Sequence, residues 1–569
     1  MGARHELRSR HRNRSLGSTT KLTRKIALSK IKRSCAAIFA LKVTAHPVGE
    51  QTQKRLTHRE KFDGGTPYRG WPDSYRWFLW QGISYGITRQ PRLTTPLSGR
   101  RMPMYLDQVS MAAQFPTVVY IIGLIAILLA IAGILLFDAG LSRAGNVMHT
   151  LTQKLVAAFV AAAGMSLIGF AIWVTQFNQA FGVANPLGQA IKSWWLGGTG
   201  INTLPQDLDP AVVPNADSFQ AFYALFILFA AFFAALLAGS VIERVKTSSL
   251  ALIALLFGAV VIPVAGYLVY GSVGPLSNAG THDFGGAFFY ILLGCWALVL
   301  VWRARPRVGV FDGTATEPAI PHNMLYVVVG MVLFLAGICG YALTNGYLVP
   351  GSGYFGITLN ESGMGLIVTN LMMAFAASAI GGLLVWKIAK HPYFFLVSPV
   401  AGWISVSGLI DVVKPWQAGL TAMFAPFILL GGYKLMIRLR LDDVKVVPLT
   451  LGPGIYSALM AAVLAGGVKQ GGYFGIAQGE YAFQHASINI GHQVYGVIVF
   501  LVLGLASALL VVFVVEKTIG LRDGRVDEGL EAKLDRAVIG EVAYPDRAPA
   551  GLQQADVSEE PAAEVSLVP

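Results

Sequence analysis

An all-α polytopic membrane protein of eleven transmembrane helices is the fold class this sequence predicts, and three observations carry it. Hydrophobic residues make up 54% of the 569-residue chain and charged residues only 13%, a balance that suits lipid better than water. Eleven uncharged stretches can be read as spans of the ~30 Å hydrocarbon core. Lys and Arg concentrate in alternate loops between those stretches, as the positive-inside rule requires.

The first half of the expected bundle reads as spans at 116–137, 155–176, 219–242, 249–271 and 285–302, with a sixth at 324–346. The rest follow at 363–386, 394–410, 416–432, 447–468 and 494–515. The eighth and ninth are the shortest, and Gly402, Gly408 and Pro415 interrupt them. Sixteen basic residues lie on one side of this topology: Arg143, Lys154, Arg244, Lys246, Arg303, Arg305, Arg307, Lys387, Lys390, Lys434, Arg438, Arg440, Lys445, Lys517, Arg522 and Arg525. The other side holds Lys192, Lys414 and Lys469. The C-terminus is therefore expected in the cytoplasm and the start of the first span outside, in the plasma membrane of the cell.

The formal charge of +13 is unevenly placed. Residues 1–103 hold 22 of the 44 Lys and Arg against five acids, a net of +17, which leaves the remainder at −4. That extension has no sustained periodicity, and its longest apolar run, "CAAIFAL", is too short for a span or a signal sequence. It reads as a disordered basic segment. A basic arm for anionic lipid or nucleic acid and a mis-assigned start codon before Met102, Met104 or Met111 are the alternatives. Residues 104–569 are expected to hold the folded protein, with no nucleic-acid partner.

Three cysteines, Cys35, Cys295 and Cys339, make no disulfide framework, and no cluster has metal-ligand spacing. No Walker loop, serine elbow or Rossmann fingerprint stands before a helix. The sequence thus predicts no enzyme, no cofactor and no metal. Glycine pairs such as Gly285 and Gly286 read as sites of close helix packing. Ionisable residues at membrane depth are functional candidates by default, and three stand out near the interfaces: Asp283, Asp411 and His492. An interior so poor in charge suits a small or neutral permeant.

Six motifs carry a family resemblance. "GILLFDAGLSRAGNVMHTLTQ" at 133–153 resembles the end of the first helix and following loop of the ammonium transporter (Amt/Rh) superfamily, with Gly140, Leu141, Arg143, Asn146 and Val147 in register. "AGSVIERV", "DFGGAFFY", "HNMLYVVVGMVLFLAGICGY" and "INIGHQVYGVIVF" resemble later segments in the same order. "GLRDGRVDEGLEAKLDRAVIGEVAYP" at 520–545 resembles the family's tail. The resemblance covers about residues 112–545. It implies an Amt-like homotrimer, each subunit an eleven-helix channel domain over residues 112–516 in which two inverted five-helix repeats surround a narrow pore, with the eleventh helix added. Residues 517–569 would form the cytoplasmic tail, docked on the cytoplasmic loops of a neighbouring subunit, where Asp523, Asp527, Glu528, Glu531 and Glu541 could meet the basic residues above. A PII-type signalling protein is the partner the resemblance implies at the cytoplasmic face.

Site residues follow by matching positions. Asp283 falls where the family helps hold the pore entrance and recruit the cation, with Asn345 in place of a serine and Tyr270, or Val269, in place of a tryptophan. Phe229 and Tyr341 match the outer aromatic gate. The two histidines that line the family's pore are replaced, the first by Tyr290 and the second by Leu451. A phenol, with a reference pKa near ~10, is a poor proton carrier at neutral pH, and leucine carries none. The expected function is transport of ammonium/ammonia, as neutral ammonia. The alternatives are a non-conducting Amt-like sensor and a channel for another small neutral molecule.

Overall fold

A computed structural model describes residues 111–545 apart from 181, 196–197, 203, 205–215, 271–273, 312–320, 346–363, 469–486, 527–529 and 531–532. The basic extension, residues 546–569 and the tail acids Asp527, Glu528 and Glu531 lie outside the described residues. The described chain is almost wholly helical. Its spans are α1 Met111–Leu141, α2 Ala144–Gln176, α3 Ala216–Ala238, α4 Thr247–Val269, α5 Ala287–Ala304 and α6 Met324–Asn345. The second group is α7 Met364–Ala389, α8 Tyr393–Val406, α9 Pro415–Arg438, α10 Val446–Ala465 and α11 Ile490–Thr518.

Ten of these eleven are long and apolar enough to cross a membrane. The eighth, α8, is a helix of 14 residues, because the chain leaves regular helix at Ser407 and passes Gly408 in a turn. A count of eleven full spans is therefore one more than the long helices found. The expected ninth span is instead a robust helix of 24 residues with Pro415 at its start, where a missing N–H costs nothing.

Packing follows the expected division into fives. The first helices of the two halves, α1 and α6, lie against each other, as do the fifth, α5 and α10. Gly133 and Gly330 face each other at the α1–α6 contact, where a Cβ on either would strike main-chain atoms of the opposite helix. The ends of α5 and α10 repeat one device in opposite directions. Asp283 accepts the N–H groups of Gly286, Ala287 and Phe288 at 2.9–3.1 Å, and Asp443 accepts those of Lys445, Val446 and Val447 at 2.7–2.9 Å. Each carboxylate satisfies donors that the first turn leaves open and complements the positive end of its helix.

The tail lies on loops of its own chain. Main-chain bonds join Lys246 to Leu521 and Asp523 to Arg244, both at 3.0 Å. Asp535 takes the N–H of His149 at 2.7 Å near the start of α2, and Tyr544 meets His322 at 3.0 Å. Of the tail acids expected to meet the sixteen basic residues, Asp523 bonds Arg525, two residues on in the tail itself, at 3.0 Å. The side that carries the tail is called tail-side below.

Candidate functional site

The distal end, opposite the tail, is built around the strand of sequence before α5. Gly286 holds φ 97°, which favours glycine. At Gly285 an added Cβ would lie 2.7 Å from the Trp403 ring, so the missing side chain is what lets α8 approach. The turn these residues make aims Asp283 both at its own helix and at Tyr270, whose hydroxyl donates to Oδ2 at 3.1 Å. Burial, and then the Asp283 charge, push the Tyr270 phenol well above its usual value and keep it a neutral donor. Beside it His282 Nε2 lies 3.0 Å from Asp411 Oδ1. The Gln493 amide donates to the His282 carbonyl at 2.9 Å. His492, read from sequence as ionisable at depth, is half-buried at the start of α11 and contributes its carbonyl to Thr281.

These groups make the fold sensitive to pH in a definite direction. Burial pushes the Asp283 carboxyl up to about 6, against the opposing pull of the Phe288, Ala287 and Gly286 N–H groups. Burial lowers His282, but the charge and hydrogen bond of Asp411 outweigh it and hold the imidazole above 6.5. A raised folded-state pKa gives stability that is complete below the unfolded value and lost as pH rises through the folded one. The melting temperature of the solubilised protein is therefore expected to fall from pH 3.8 to about 6 on account of Asp283, and again above 6.5 on account of His282. Asp283→Asn should remove the first step and Asp411→Asn the second. A melting temperature that rises across both ranges would contradict the assignment.

From Tyr270 inward the interior is aromatic. The Tyr270 ring stacks on Phe289 at 5.2 Å, Phe289 meets the edge of Phe229 at 5.0 Å, and Phe229 lies nearly parallel to Tyr341 at 6.2 Å. The two expected gate residues are thus adjacent and buried. Asn345 is fully buried one turn beyond Tyr341, at the end of α6. Tyr341 meets the edge of Trp403 at 6.3 Å, and the Trp403 indole donates to the Tyr290 hydroxyl at 2.8 Å. Trp403 was invisible as a site residue in the sequence, since it sits in the weakest span with no motif around it.

Tyr290 lines a cavity of about 60 Å³, room for roughly two molecules of water size. Its apolar wall includes Phe137, Leu236, Phe334, Val397 and Leu449, and at its tail-side end it meets Asp138 and Lys445. Leu451 is not among the lining residues. Its main chain and Cβ lie against Gly294, one turn along α5 from Tyr290. From α10 the cavity receives Val446, Leu449 and Thr450.

Three charged groups are placed differently from the sequence reading. Lys154 and Lys445, counted there as loop residues, are buried, and each bonds the buried Asp138 carboxylate. Asp411, Asp283 and His492 were therefore not the only ionisable candidates at depth. The signal was present in "LLFDAG", where an aspartate breaks an apolar run, but the residue fell one position beyond the first expected span. Nearby, Arg143 pairs with Glu243 at 3.0 Å and Arg244 with Asp442 at 2.8 Å, all four buried.

Comparison with known proteins places this geometry among others. Residues 118–544 match the model of the Ammonium Transporter Family. Ammonium transporter Amt2 of Archaeoglobus fulgidus is 26% identical over 441 residues, 73% of this chain and 85% of that protein. Ammonium transporter Amt2 of Methanocaldococcus jannaschii is 26% identical over 422 residues, 73% of this chain and 87% of the relative. Among solved structures, one named Sensor Amt Protein superposes with a TM-score of 0.58 at 20% identity, covering 74% of this chain and 98% of that one. Candida albicans Mep2 superposes with a TM-score of 0.56 at 18% identity, covering 73% and 86%. At these identities the structural likenesses speak for the fold.

Proposed function

The chain belongs to the ammonium transporter family, an integral membrane family, and on that premise we propose that it conducts ammonium nitrogen across the plasma membrane as neutral ammonia. One observation carries the reading. Between the distal Asp283 and the tail-side Asp138, the interior presents mainly aromatic and aliphatic groups, and of the two hydroxyls in the cavity wall Thr450 donates to the Val446 carbonyl, which leaves Tyr290 to donate to a permeant. An ammonium ion there loses water that nothing replaces, at a cost of several kcal/mol. Ammonia gives up far less. In this reading Asp283, Tyr270 and Asn345 recruit the cation at the outer face, Phe229 and Tyr341 gate it, and Tyr290 stands in the cavity wall where the first histidine of a relay would, with Leu451 at the matched position of the second but packed on Gly294. The N-terminal side of α1 then faces outward and the tail lies in the cytoplasm.

The test is flux in vesicles reconstituted with the full chain. An ammonium gradient should change lumenal pH without a net current, faster as pH rises. A robust current from the unmodified protein would rule the neutral mechanism out.

A second reading, a non-conducting sensor, draws on the close packing of Tyr341, Trp403 and Tyr290 and on the fold likeness to a protein named Sensor Amt Protein. It predicts no flux above empty vesicles. Under either reading we propose a homotrimer whose tail, residues 517–569, regulates it and meets a PII-type protein. Deletion of 517–569 is expected to change flux or oligomeric state, because the tail binds the loops at Arg244, Asn146 and His149. Unchanged values of both would remove the proposal.

A further inference from the structure

We propose that Asp138, Lys154 and Lys445 form a cation barrier at the tail-side end of the cavity, so that neutral ammonia can leave it and ammonium cannot. The inference rests on the transport reading and adds to it the residues that decide which species passes. Asp138 stands in the last turn of α1, Lys154 about three turns into α2, and Lys445 just before α10. The cluster therefore closes the space between the two halves of the bundle where the cavity ends.

The charges do not cancel. Two ammonium groups share one carboxylate, with all three residues buried. Three neighbouring acids among the described residues are committed. Glu243 pairs with Arg143, Asp442 binds both Arg244 and Arg307, and Asp443 spends its oxygens on the first N–H groups of α10. A tie between helices needs a single lysine, whereas a second one adds positive charge in a poorly solvated place. That excess faces the route of a permeant, because Asp138 and Lys445 both line the cavity.

Two details support a built site. Gly239, just after α3, sits against the cluster, and a Cβ there would come within 3.0 Å of all three charged groups. Phe137, also in the cavity wall, has its ring 5.9 Å from Lys445 Nζ. Its π-face, which attracts cations, is already directed at a resident ammonium. A neutral molecule feels little of this field and can accept a hydrogen bond from a lysine N–H, since an ammonium has three donors.

The experiment uses the full chain in proteoliposomes under an ammonium chloride gradient, with lumenal pH and capacitive current read in parallel. Lys445→Gln and Lys154→Met each leave a neutral carboxylate–lysine pair. Each is expected to raise the current at least tenfold over the parent, and Lys445→Arg should return it to the parent level. Lys387→Gln, on the exposed face of α7, serves as the control without effect. Ammonia flux in both variants with no added current would overturn the barrier while leaving transport intact. A parent without any flux would instead remove the transport reading. The barrier then stands if the variants open a current and falls if they stay closed. Failure of both variants to fold would make the cluster a structural tie and also overturn it.

Discussion

Replacing Asp442 with alanine is expected to destabilise the protein by about 3–5 kcal/mol, the range for removing one partner of a buried ion pair. Asp442 Oδ2 receives Arg244 Nη1 at 2.8 Å, and the carboxylate also binds the Arg307 side chain at 2.8 and 3.0 Å and the Arg307 N–H at 2.9 Å. Arg244 is 1% exposed, so its guanidinium cannot turn to water when the acid is lost. Burial raises the Asp442 pKa, yet Arg244 and Arg307 together overcome that and hold it well below the carboxylate range. A lowered folded-state value gives stability that is present above the unfolded pKa and lost as pH falls, so the Asp442 contribution disappears in acid. That is opposite in sign to Asp283. Thermal melts of parent and variant near neutrality measure the loss, and Asp442→Asn, which keeps the shape without the charge, should fall between them. A loss below about 1 kcal/mol, the scale of an exposed pair, would show that the two arginines find other partners.

The contrast between Asp442 and Asp443 marks how far the sequence could be read. Hydropathy located all ten long helices among the described residues, because a span has to be apolar over its whole length and few other segments are. It could not separate a loop charge from one buried just inside a helix end. Lys154 and Lys445 therefore passed as solvated residues, and the second appeared only through the fold that brings α10 to α1. Asp442 and Asp443 are neighbours in sequence with unlike roles, one serving two arginines and the other a helix terminus, and nothing local distinguishes them. Asp283 was legible because an ionisable residue at the mouth of an apolar span is a functional candidate by default. Trp403 was not, since its role depends on a contact 113 positions away. The position of Leu451 shows the same limit. A matched motif fixes its place along α10, while the facing side chains are set by how α5 and α10 pack.

Tyr290→Phe is expected to slow ammonia flux about tenfold, equivalent to roughly 1.4 kcal/mol in the barrier. The hydroxyl does two things that phenylalanine cannot. It accepts the Trp403 N–H at 2.8 Å, and that donor, fully buried, would be left unsatisfied. It also keeps a proton of its own to offer a molecule in the cavity, where the rest of the wall is mostly aliphatic or aromatic and the Thr450 hydroxyl donates to the Val446 carbonyl. A thermal melt separates the two effects, because loss of the Trp403 bond lowers stability whereas loss of the donor to the permeant does not. Trp403→Phe then completes the argument: it removes the first interaction, keeps the Tyr290 hydroxyl, and should retain more of the flux than Tyr290→Phe at similar stability. Flux in the parent should rise about tenfold per pH unit while ammonium is the dominant form, following the fraction of free base, and Tyr290→Phe should lower the rate without changing that slope. If Tyr290→Phe and Trp403→Phe lower flux equally, the hydroxyl acts only by holding the indole. If Tyr290→Phe raises flux, the Tyr290–Trp403 contact is the closure of the path, and the sensor reading gains what the transport reading loses.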